Sequence, residues 1–129
     1  MKQEHLKPTE SELEILQVLW AKGACTVREV NEQLNLRKET GYTTTLKIMQ
    51  IMTEKGLLTR DESQRTHVYR ATVQEQDTQK QLLDKFLDSV FKGSTANLVM
   101  QALGNSQTSP EELREIRKLI DNMEKGGAQ

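Results

Sequence analysis

The sequence predicts a mainly α-helical chain with a small β-hairpin wing: a winged helix-turn-helix domain over residues 1–72, then a helical dimerisation region over residues 73–129. Three observations lead there. Hydroxyl–carboxylate pairs three residues apart mark three helix starts. The apolar spacing leaves the helical period just after Gly56 and regains it beyond Thr72. From there on, apolar residues form stripes on short helices with too little neighbouring chain to cover them.

The helix starts come first. Thr9 stands three residues before Glu12, Thr26 three before Glu29, and Ser109 three before Glu112. Each pair fits a capping box, in which hydroxyl and carboxylate satisfy each other's free amides. Pro110 suits the first helical position. The first helix is expected over about Glu10 to Lys22, with Leu13, Leu16, Leu19 and Trp20 inward and Gly23 ending it. A second runs from Thr26 through Leu34 and buries Val27, Val30 and Leu34. The third begins near Tyr42 and ends at Lys55, where Gly56 supplies a left-handed stop.

After Gly56, "LLTRD" and "THVYRA" are short runs rich in β-branched and aromatic residues, separated by the polar "ESQR". They predict a hairpin. Beyond it, Leu82, Leu83, Phe86, Leu87, Val90 and Phe91 form one helical stripe; Leu98, Val99, Ala102 and Leu103 form another after Gly93. Leu113, Ile116, Ile120 and Met123 are spaced like a coiled-coil seam. A symmetric dimer is the simplest cover for these stripes.

Composition narrows the function. At 4% aromatic residues, a stacking platform for single-stranded nucleic acid is not expected. No apolar run is long enough for a membrane span, and Met1 to Lys7 lacks the apolar segment of a signal peptide, so a cytoplasmic protein is expected. The single cysteine, Cys25, forms no intrachain disulfide and reads as a small packed residue. His5 and His67 have no partner at metal-ligand spacing, so neither a metal nor another cofactor is expected. No nucleophile–base–orienter set or phosphate-cradling glycine loop appears, which argues against an enzyme. Net charge is uninformative. It is −1 overall, from +1 over residues 1–72 (11 basic, 10 acidic) and −2 over residues 73–129 (7 basic, 9 acidic).

The third helix carries the functional signal. With 100° per residue, Lys47, Gln50 and Glu54 fall within about 40° of Thr43, and Thr44 and Ile51 sit at the edge. Tyr42, Thr45, Ile48, Met49 and Met52 take the opposite side. Threonine is a poor helix former, and a merely solvated face gains nothing from three in succession. Short hydroxyls allow close backbone approach to a duplex, and Lys47 can reach a guanine edge or a phosphate. Arg65 at the hairpin tip, flanked by Arg60 and Arg70, and Arg37 and Lys38 before the helix add cations.

The blocks "TESELEILQVLW", "GYTTTLK" and "EKGLL", followed by "VYRA", resemble the penicillinase repressor family of bacterial transcriptional regulators, and the likeness extends over the whole chain. It implies a dimeric repressor on a palindromic operator of double-stranded DNA, with Tyr42, Thr43, Thr44 and Lys47 facing the DNA and Arg65 on the wing. The C-terminal helices would hold two subunits together. In such repressors a protease linked to a membrane sensor cuts an Asn–Phe bond; here Gln101–Ala102 stands at that place, and no Asn–Phe pair occurs. The paired Cys-x-Cys motifs of copper-responsive relatives are also missing. Any inducer or protease is therefore an unidentified partner. Two other readings stay open: a winged-helix module that docks on protein, and a small-molecule-responsive regulator with a pocket near the dimer interface.

Overall fold

The computed structural model describes residues 7–105 and 107–126. Its element order is α1 (Glu10–Lys22), α2 (Val27–Asn35), α3 (Tyr42–Lys55), β1 (Leu58–Asp61), β2 (Val68–Ala71), α4 (Glu75–Phe91), α5 (Thr95–Asn105) and α6 (Pro110–Glu124). The chain divides into two compact units, up to Leu83 and from Asp84 onward. The expected boundary at residue 72 marks the end of the hairpin, and the first turns of α4 go with the first unit. Trp20 donates its indole N–H to the Val73 carbonyl at 2.9 Å, and Thr78 is buried.

Local chemistry sets the helix ends. At α1 and α2 both halves of each capping box form: Thr9 with Glu12 and Thr26 with Glu29. At α6 the Ser109 hydroxyl accepts the Glu112 N–H at 3.0 Å, and Pro110 opens the helix. Gly56 ends α3 at φ 92°, which lets the Leu57 N–H fold back onto the Met52 carbonyl at 2.9 Å. Both strands begin later than the residue types suggest and end where expected, at Asp61 and Ala71. Leu57 lies in this helix stop and Thr66 and His67 in the connecting loop, so the paired register is Leu58–Ala71 to Asp61–Val68.

The core of the first unit joins all five of its early elements: Ile15, Leu16 and Leu19 of α1, Val27 and Val30 of α2, Met49 and Met52 of α3, and Leu57, Leu58 and Tyr69 around the hairpin. Five positions differ from expectation, among them Leu34, which is only half-buried because it faces a surface groove. Ile15 is fully buried, while Leu13 and Trp20 are only half-buried, because the inward face of α1 is centred on Ile15 and Leu19. Tyr42, placed on the packed side by helical spacing, is 50% exposed, since the first turn of α3 extends past the core. Cys25 pairs with Tyr69 as an extra bridge, the two N–H groups donating to opposite carbonyls at 3.1 and 2.8 Å. Burial pushes the Cys25 thiol above its ordinary pKa; Glu29 adds to this and Lys22 opposes it.

Glu12 does two jobs. Its Oε1 accepts the Thr9 N–H at 2.9 Å and also pairs with Lys55 Nζ at 2.7 Å, joining the start of α1 to the end of α3. That carboxylate is almost entirely buried, so losing it removes a helix cap and an ion pair together and leaves a gap between the start of α1 and the end of α3. Glu12→Ala is expected to lower the unfolding free energy of the first unit by about 2 kcal/mol. Chemical denaturation measures it; a loss below about 0.5 kcal/mol would contradict this role.

The second unit is built differently. Among its described residues, α5 and α6 bury nothing. Phe86 and Phe91 meet edge to face at 5.4 Å, yet Phe86 remains 48% exposed, and Val90, Met100, Leu119 and Ile120 are exposed as well.

Candidate nucleic-acid interface

The turn between α2 and α3 is held by side-chain amides. Asn31 donates from Nδ2 to the Thr40 carbonyl at 3.0 Å and to the Thr45 hydroxyl at 2.8 Å. Asn35 donates to the Asn31 and Thr40 carbonyls and accepts the Thr40 N–H at 3.0 Å. These bonds satisfy a backbone that has no helix or sheet partner there. They also fix the direction in which α3 leaves the turn.

Thr45 is therefore structural. It is fully buried, accepts from Asn31 and donates to the Gly41 carbonyl at 3.3 Å. Thr53 likewise donates to Met49. Thr43 and Thr44 are different. Together with Lys47 and Gln50 they are exposed, and among the described residues their side chains make no hydrogen bond or ion pair. So α3 divides its threonines between packing and presentation, and the three-threonine run serves both faces. At its start, α3 has Gly41 as N-cap with no side-chain hydrogen bond, unlike α1 and α2. The amides of its first turn have no intrahelical acceptor.

The wing stands beside this face. Arg65 and His67 share a groove of about 430 Å³ with Tyr42 and Leu46 of α3 and Arg28 of α2. No sequence pattern marks Arg28 for this place; it lies inside the second capping box, and only the fold brings it to the wing. Arg60 is otherwise engaged. Its Nε donates to Glu62 at 2.6 Å, and the Tyr69 hydroxyl opposite it and Glu62 hold its guanidinium above the ordinary pKa. Ser63 donates to Asp61 at 2.9 Å and holds that carboxylate below its usual pKa, which tightens the turn after β1. Lys38 and Arg37 line a different groove, with Lys22 of α1. The structure thus leaves Thr43, Thr44, Lys47 and Gln50 exposed on α3, sets Tyr42 and Arg65 along one groove, and engages Arg60 within the wing.

Of the histidines, His67 is exposed in the loop before β2, and His5 lies outside the described residues. Among the described residues no group of His, Cys, Asp and Glu is placed to hold a metal ion. No helix among them is long and apolar enough to cross a membrane.

Three helices, a hairpin wing and a bare polar face on the third helix define the winged helix-turn-helix class. Within it, the chain belongs to the penicillinase repressor family, whose sequence profile matches residues 8–122. It is 25% identical to the penicillinase repressor of Bacillus licheniformis, over 88% of each chain. It is 22% identical to the methicillin resistance regulatory protein MecI of Staphylococcus aureus, over 86% of this chain and 90% of that one. The family consists of transcriptional repressors, which are not enzymes.

The amide clasp is testable without DNA. Asn31→Ala removes two hydrogen bonds, while the Thr40 carbonyl keeps Asn35 and the Thr45 hydroxyl keeps Gly41, an expected cost of about 1–2 kcal/mol. Chemical denaturation should show it, with hydrogen exchange rising first at the α2–α3 turn; an unchanged midpoint would contradict the clasp.

Proposed function

We propose that this protein is a cytoplasmic, homodimeric repressor that binds a palindromic operator in double-stranded DNA, with α3 in the major groove and the hairpin wing against the backbone. The observation that carries the reading is the unpaired row Thr43, Thr44, Lys47 and Gln50, set on a helix whose other threonines are fully engaged. Phosphate contacts would fix the register: the open first turn of α3, Arg65 at the wing tip and Arg28 across the groove from it. Base edges would then be read by Lys47 and Gln50, with the Thr43 and Thr44 methyls against thymine methyls. Tyr42, half-exposed between helix and wing, would close the gap between these contacts.

The dimer rests on a separate observation. Leu83, Phe86, Val90, Val99, Leu113 and Ile120 remain exposed on helices that recur at apolar spacing. Leu82, Leu87, Phe91, Leu98, Leu103 and Ile116 are half-buried beside them. A second copy of the chain covers such stripes by symmetry, and two copies give two α3 helices for two operator half-sites. The family supports repression, since its named members include penicillinase repressors.

Lys47→Ala is expected to weaken operator binding by about 1–3 kcal/mol while barely altering binding to unrelated duplex. Equal weakening on all duplexes, with the salt slope reduced by about one, would make Lys47 a phosphate contact instead. Affinity unchanged in a Thr43/Thr44/Lys47 triple alanine variant would remove α3 from the interface. Phe86→Asp should yield monomers by light scattering and lose tight binding to the full operator; a dimer of unchanged stability would contradict the assigned interface.

A further inference from the structure

A groove of about 600 Å³ runs along α1 beside the turn that leads into α3, wholly inside the first unit. That volume falls within the roughly 300–1,000 Å³ of small-molecule sites. Val18, Ala21 and Leu34 supply apolar surface, and Leu36 stands next to them 76% exposed. Leu36 is an apolar side chain in a turn otherwise made of Asn35, Arg37, Lys38 and Glu39, and nothing among the described residues covers it.

The charge of the same groove is one-sided. Lys22, Arg37 and Lys38 line it, against Glu14 as its one carboxylate. Among the described residues none of the three cations forms an ion pair. Their backbone is fixed as well. The Arg37 and Lys38 N–H groups both donate to the Leu34 carbonyl at 3.1 Å, and the Leu36 N–H donates to Gln33 at 3.2 Å. Asn35 then locks Thr40 at the far end of the turn. A rim held this way loses little freedom when it binds. No residue lining this groove also lines the one shared by Arg28, Tyr42 and Arg65.

We infer that this groove is a binding site for a small amphipathic organic anion. The apolar body, aromatic or aliphatic, lies against Val18, Leu34 and Leu36, and the carboxylate meets Arg37 and Lys38 with Lys22 nearby. Charge complementarity selects an anion, and the limited volume of this open groove suits a small molecule. The site does not depend on the proposed DNA contacts, but its rim continues directly into α3, so an occupant would touch the segment that aims that helix.

The test is a methyl-labelled NMR titration of the full-length protein with naphthalene-1-acetate, compared with its neutral amide. The inference predicts saturable shifts at Val18, Leu34 and Leu36, with the amide binding about tenfold more weakly or worse. An Arg37→Gln/Lys38→Gln variant with unperturbed Ile15 and Met49 methyls should lose that preference, and Leu36→Ser should weaken acid and amide alike. Absence of saturable shifts at millimolar probe, or equal binding of acid and amide, would overturn the assignment. Displacement of the bound acid by random duplex would also overturn it, by making these cations phosphate contacts.

Discussion

Two asparagine amides decide where α3 points. Asn31 and Asn35 both donate to the Thr40 carbonyl, Asn35 also accepts the Thr40 N–H, and Asn31 reaches on to the Thr45 hydroxyl. The turn from α2 into α3 has no sheet or helix to satisfy it, so these side chains take that part. Thr45 is the hinge of the arrangement. Buried and doubly bonded, it sets the rotation of α3 about its own axis. Given that rotation, Met49 and Met52 enter the core, and Thr43, Lys47 and Gln50 cannot.

The rest of the first unit braces the same helix from its other end. Gly56 turns the chain back onto Met52, and Lys55 reaches Glu12 at the start of α1. The hairpin is anchored through Tyr69, which is buried and bridged to Cys25 in the α1–α2 connection. This leaves the wing tip free of packing duties, with Arg65 exposed beyond the paired strands. The net charge of −1 provides no general attraction to nucleic acid, so the proposed contact depends on where the cations sit. The apolar helices after Leu83 serve another need. They leave Phe86, Val90, Met100, Leu119 and Ile120 exposed, the kind of surface that the proposed second copy would cover.

Interactions between residues close together in the chain are legible in the sequence itself. The Thr9–Glu12 and Thr26–Glu29 boxes and the Gly56 stop each lie within one helical turn, so α1 and α3 end where their residue types indicate. Contacts between distant residues are not legible in this way. Nothing local marks Glu12 as the partner of Lys55, or Arg28 as a neighbour of Arg65. Asn31 and Asn35 carry no sequence signal either, because an amide in a polar stretch looks solvated until its carbonyl partner is known. The threonine run illustrates both cases. Its helical spacing separates Thr43 from Thr45, but only the Asn31 bond shows that Thr45 serves the fold. Spacing alone misplaces Tyr42, because an angle on a helix says nothing of how far the core extends along it.

In the proposed function, the bare row on α3 reads a duplex. The most direct measurement is a selection from random duplexes, run in parallel with the unaltered protein and with Lys47→Gln. Two symmetric half-sites about one helical turn apart are expected. The Lys47→Gln protein should retain that spacing and change its preference at one position in each half-site. No enriched sequence, or an identical preference from both proteins, would contradict the account.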